Sequence, residues 1–169
     1  GVDVQAYSYQ AYPENACVHF LYLGRIMKEK GMNELLDACE QLHEEGYSFV
    51  LDLVGFFEDA YKQRINQLSA QGIVVFHGFQ QEPRPFYAAC DCVVLPSYHE
   101  GMSNVLLEAA ATGRPVITSD IPGCREAVVD QKSGFLVPKG DAQALYRAMK
   151  HMLSIDRAQR EQMGLAGRK

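Results

Sequence analysis

The chain has 169 residues, about half of them apolar and 22% charged, with a formal net charge of -5 at pH 7. That length suits one domain with a proper buried core, and the mixed composition excludes a disordered or fibrous chain. The acidic balance argues against a nucleic-acid-binding surface, and no apolar stretch reaches the length needed to cross a bilayer.

The first sixteen residues, "GVDVQAYSYQAYPENA", have weak periodicity and lack the basic start and apolar core of a signal peptide. They read as a connection leading into a domain at 17–169. "CVHFLYLG" (17–24) is nearly all apolar, as a strand covered on both faces must be. "GMNELLDACEQLHEEG" (31–46) repeats apolar residues at Leu35, Leu36, Cys39 and Leu42, a helix with one buried stripe stopped by Gly46. A second strand is expected at 48–55, a helix at 58–72 and a third strand at 73–78. A short helix at 82–90 and a fourth strand at 92–97 follow. The helix 103–113, strand 115–120, short helix 124–130, strand 134–138 and helices 141–154 and 156–169 complete the chain.

Five cysteines, Cys17, Cys39, Cys90, Cys92 and Cys124, are an odd number in a chain too large to need stapling. No second Cys/His pair follows Cys90 and Cys92 at zinc spacing, so reduced cysteines acting mostly as small core residues are expected. The strand–helix alternation predicts an α/β fold of three layers, a Rossmann-like parallel sheet flanked by helices and joined by right-handed crossovers. Ligands of such sheets bind at the carboxyl ends of the strands. The loops 24–31, 55–58, 77–82, 97–103 and 120–124 are therefore where chemistry is expected.

Arg25, Lys28 and Lys30 follow the first strand directly, and basic groups at the mouth of a parallel sheet suit a diphosphate. A solvated turn is the plain alternative. Glu100 lies in a loop and Glu108 one to two turns inside the next helix. Between them, Gly101 lets backbone approach a ligand, and the first-turn N–H groups at Ser103, Asn104 and Val105 form an anion site. A carboxylate accepts two hydrogen bonds at once, which suits the vicinal hydroxyls of a ribose or hexose. A surface position for Glu108 and a helix-dipole role for Glu100 stay open on spacing alone. His99 is a conceivable general base, or simply a surface residue or substrate contact. There is no G-x-G-x-x-G, no P-loop and no D-x-D pair to hold a divalent metal on a diphosphate.

Taken in order, "FLYLGRIMKEKGMNELLDA", "EGMSNVLLEAAATGRPVITSD" and "GCREAVVDQKSGFLVPKGD" resemble the carboxyl-terminal half of family-4 retaining glycosyltransferases of the GT-B fold, over about residues 17–154. The resemblance implies that Arg25 and Lys30, behind Gly24, grip the diphosphate of a nucleotide-sugar donor. It puts Glu100 near the donor sugar's hydroxyls and Glu108 on the ribose. It also makes Gly101, Met102, Ser103, Asn104 and Val105 the loop and helix start against sugar and phosphate. Glu100, Arg25 and Lys30 are then the catalytic group. The base is expected near Phe76 and His77, mostly through backbone contacts. No cofactor and no metal are expected.

Enzymes of this family have a second, amino-terminal domain that carries the acceptor site, and "GVDVQAY" resembles the segment by which the chain enters its second domain. The resemblance thus implies an isolated donor-binding domain, inactive alone. Its parent transfers sugar, with retention, to a sugar, lipid-linked or polysaccharide acceptor. The implied location is the cytoplasm, with peripheral docking at the inner membrane left to the other domain. A GT-B sugar-nucleotide epimerase and a non-catalytic nucleotide-binding module share these features. A flavodoxin-like receiver needs an acidic cluster after its first strand, where this chain is basic.

Overall fold

The computed structural model describes residues 7–168. The reading of "GVDVQAY" as an entry segment lies, apart from Tyr7, outside the described residues. Six strands form one sheet: β1 Val18–Leu23, β2 Phe49–Val54, β3 Val74–Gly78, β4 Cys92–Leu95, β5 Val116–Ser119 and β6 Gly134–Val137. Their order is β3-β2-β1-β4-β5-β6, and every neighbouring pair is parallel. Each strand occurs where an apolar run predicts one. The runs in β4 and β5 are buried throughout, because helices cover both faces of the sheet.

The helices are α1 Met32–Glu44, α2 Lys62–Ala70, α3 Arg84–Ala89, α4 Asn104–Thr112, α5 Ala142–Ser154 and α6 Arg157–Gly167. Right-handed crossovers divide them between the faces. α1 packs with α5 on one face, and α4 packs with α3 and α6 on the other. The predicted α1 stripe of Leu35, Leu36, Cys39 and Leu42 is completely buried. Phe20, Leu51 and Leu53, which the strand register sets on one face of the sheet, are buried to the same degree. The five cysteines are free thiols; four are buried and Cys17 is half-buried.

Two helical expectations are corrected. The span 58–72 begins as a single 3₁₀ turn, Asp59–Tyr61, before α2. The span 124–130 holds only the 3₁₀ turn Arg125–Ala127. Val128 is extended, the Val129 N–H donates to Ser133 Oγ at 2.9 Å, and Asp130 bridges to Gly134. Those contacts satisfy the backbone without a helix, and consecutive β-branched valines favour the extended form.

Residues 7–16 contain no helix or strand, yet they are held to the domain. Arg114, 1% exposed, donates to six carbonyls: Gln10, Ala11, Tyr87, Ala88, Thr112 and Gly113. Arg157 holds the carbonyls of Tyr12 and Pro13. The strand order reverses between β1 and β4, and that switch point opens a crevice at the carboxyl ends of the strands.

Candidate functional site

The loops after β1 and β4, the two sides of the crevice, are bonded to each other. Lys30 Nζ lies 2.8 Å from Glu100 Oε1, and Ser97 Oγ donates to the same oxygen at 2.8 Å. The Tyr98 N–H donates to the Glu29 carbonyl at 2.8 Å, and the Tyr98 hydroxyl donates to Glu34 at the start of α1. Burial, reinforced by Glu34, pushes that phenol up to about 12. One glycine permits this approach, and a second brings the loop after β5 against the loop after β4. Gly31 has φ 75°, and a Cβ there would stand 2.0 Å from the Pro96 carbonyl oxygen. Gly123 has φ 91°, and its Cβ would stand 2.0 Å from the Gly101 carbonyl oxygen. Only glycine fits at either place.

α4 begins between two hollows. Ser103 caps it, its hydroxyl accepting from the Leu106 N–H at 3.3 Å. The Ser103 N–H donates to the Gly123 carbonyl at 3.2 Å, which corrects its expected place among the free donors. Asn104 and Val105 keep unbonded N–H groups among the described residues, so two of the three expected donors remain free. One hollow, of about 420 Å³, is lined by Glu100, Gly101, Met102 and Ser103 together with Pro122 and Gly123. Met102 is 78% exposed at its edge.

The other hollow, of about 330 Å³, lies under the turns after β1, β2 and β3 and beside α4. Gly24, Arg25, Val105 and Glu108 line it with Gly55, Phe56, Phe79, Gln80 and Tyr87. Arg25 is exposed and has no carboxylate partner among the described residues. Glu108 is half-buried. Desolvation raises its pKa, opposed by hydrogen bonds from the Tyr7 and Tyr87 hydroxyls. Tyr7 packs edge-on against Tyr87 at 5.6 Å, and burial followed by Glu108 pushes its phenol up to about 12.

The site therefore gathers Gly24, Arg25, Val105 and Glu108 in one hollow and Glu100, Gly101, Met102 and Ser103 in the next, with Asn104 at the helix start between them. Lys30 joins the second group through Glu100. Phe76 and His77 are not brought to either hollow. The Phe76 ring packs edge-on against Phe57 at 5.1 Å. His77 Nε2 is 2.8 Å from Asp52 Oδ1, whose other oxygen meets His19 Nδ1 at 2.8 Å. Their strand ends in the left-handed Gly78, and it is Phe79, one residue later, that reaches the cavity. Among the described residues no group of three His, Cys, Asp or Glu side chains is arranged to hold a metal ion.

Sequence reasoning missed Ser97, Tyr7, Tyr87, Phe56 and Phe79. Ser97 was within reach, since it ends a predicted strand three residues before Glu100. Tyr7 and Tyr87 were not, because no periodicity pairs residues eighty positions apart. Chemically, a guanidinium and a carboxylate around one cavity, with two free N–H groups at the helix start beside it, can hold a dianion and a vicinal diol side by side.

The family model described as glycosyl transferases group 1 matches residues 17–154. The capsular polysaccharide biosynthesis glycosyltransferase CapM of Staphylococcus aureus is 33% identical over 153 residues, covering 88% of this chain and 40% of CapM. The sucrose-phosphate synthase of Thermosynechococcus elongatus superposes with a TM-score of 0.83 at 30% identity, covering 99% of this chain and 45% of that one. HepE of Anabaena, solved in complex with UDP-glucose, has the same fold, with a TM-score of 0.83 at 24% identity, covering 99% of this chain and 50% of HepE. The chain thus spans half or less of the length of each of these three proteins. Sequence motifs, strand order and matched family agree, and the chain belongs to the group 1 glycosyl transferases.

Proposed function

We propose that this chain binds the donor of a retaining glycosyltransferase, which moves a sugar from a nucleoside-diphosphate sugar to an acceptor hydroxyl in polysaccharide or glycolipid assembly. The observation that carries this is the convergence of Arg25, the α4 N-terminus and Glu108 on one cavity at the switch point. CapM's role in capsular polysaccharide synthesis and the UDP-glucose held by HepE support the class of reaction and donor. Glu108 accepts the two ribose hydroxyls, and the Asn104 and Val105 N–H groups meet the diphosphate with Arg25.

Lys30 supplies the second cation. Without donor it neutralises Glu100; with donor, the diphosphate competes for it. Glu100 then keeps its bond from Ser97 and turns its free oxygen to the sugar. As the glycosidic bond breaks, the diphosphate gains negative charge toward which Arg25, Lys30 and the helix start are already aimed. These groups neutralise phosphate without a divalent ion, so binding is metal-independent. The acceptor is held by the part of such enzymes that this chain does not cover. The reading puts the enzyme in the cytoplasm, docked peripherally at the inner membrane through that part. No helix among the described residues is long and apolar enough to cross a membrane.

Calorimetric titration with UDP, GDP and ADP, with and without magnesium, tests this directly. One nucleotide binds irrespective of magnesium, and Arg25→Ala and Glu108→Ala each weaken it by about tenfold or more, as loss of a charged hydrogen bond implies. Binding that survives both substitutions rejects the site.

A further inference from the structure

Phe56 and Phe79 are 66% and 59% exposed, among the most exposed large apolar side chains of the described residues, and both line the Glu108 cavity. They stand in the turns after β2 and β3. Their rings lie parallel, 2° apart in plane with centroids 5.0 Å apart, an offset stack. The fold does not need them in the core, because Phe57 and Phe76 of the same two segments turn inward and pack edge-on against each other. Each segment thus gives one ring to the interior and one to the cavity. The strand order sets the β1 turn, with Gly24 and Arg25, between these rings and Glu108 on α4. A ligand filling the cavity meets a flat apolar surface at one end, a cation in the middle and a diol-binding carboxylate beyond.

We propose that Phe56 and Phe79 form a stacking platform for the donor's nucleobase, the base completing the stack as a third ring; this rests on the donor-site reading above. Every base has a π-face, so stacking supplies affinity while leaving base choice to contacts at the base's edge. Side chains thus carry a share of base binding that backbone contacts alone do not supply.

The test compares the chain with its Phe56→Leu, Phe79→Leu and Phe79→Tyr variants, each titrated with UDP, GDP, ADP and inorganic pyrophosphate. Both leucine variants keep the parent melting temperature, since the rings are exposed. Each weakens the bound nucleoside diphosphate by about tenfold, leaves pyrophosphate unchanged, and loses the upfield ring-current shift of the base protons in NMR spectra. Phe79→Tyr keeps wild-type affinity. If both leucine variants bind nucleotide normally while Glu108→Ala does not, the platform is wrong and the donor site stands. If pyrophosphate weakens in parallel with nucleotide, the rings only support the loops and the platform is again overturned. A parent chain that binds no nucleotide overturns both readings together.

Discussion

Glu108 is a carboxylate placed where ionisation is unfavourable. Burial raises its pKa, and the two tyrosine hydroxyls only partly offset that. The folded state therefore holds this proton more tightly than the unfolded chain. Between the ordinary carboxylate pKa and the raised one, stability falls as pH rises, and the penalty is complete above the raised value. Glu108→Gln removes it, so the variant melts higher than the parent at neutral pH and shows a flatter pH dependence. The same variant binds nucleotide more weakly, because an amide is a poorer acceptor for two hydroxyls. Melting curves across pH 4 to about 8, paired with a nucleotide titration, check both halves. Arg114 is the opposite case, a residue of the fold and not of the site. Arg114→Met strips donors from six carbonyls, three of them in buried bonds, and destabilises the chain by about 3 kcal/mol or more, read from urea denaturation.

Among the elements, α4 matters most. Its start is set by one capping serine below and by the Gly123 carbonyl on the Ser103 N–H. Ser103→Ala costs about 1 kcal/mol of stability. Gly123→Ala forces a Cβ against the Gly101 carbonyl oxygen, so the 97–103 loop shifts and Asn104 and Val105 lose their aim. Nucleotide affinity then falls more than stability does, a split that denaturation and titration on one preparation separate. The capping serine is legible in "MSNVLLEAAATG", where polar residues precede an apolar run and a glycine ends it. The bond from Ser103 to Gly123 is not, because it joins two loops that neighbour each other only after β5 pairs with β4.

For the whole molecule, the consequence is linkage between ligand and fold. A nucleotide at a hundred times its Kd adds about 2.7 kcal/mol to the folded state, which raises the melting temperature of a chain this size by about 5–10 °C. EDTA leaves that rise intact if cations of the protein alone hold the diphosphate. The loops after β1 and β4 transmit the gain, since Lys30, Glu100 and Tyr98 already bind them together across the switch point.

The sequence by itself determined the strands, most of the helices, the parallel sheet and the motif residues Arg25, Lys30, Glu100 and Glu108. Those signals are local: apolar runs, helical spacing and loop composition are all read within a dozen residues. Only the tertiary structure decided that Lys30 pairs with Glu100 and that Tyr7 and Tyr87 share Glu108. It also showed that Phe56 and Phe79, not Phe76 and His77, face the cavity. Each of these depends on which strands lie side by side and on how a chain leaves its strand. At 124–130, too, local pattern predicted a helix, but Ser133 and Gly134 across the loop satisfied the backbone first. Long-range pairing decides such contacts, because the free energy of burying and bonding a group belongs to its neighbours in space and not to its neighbours in sequence.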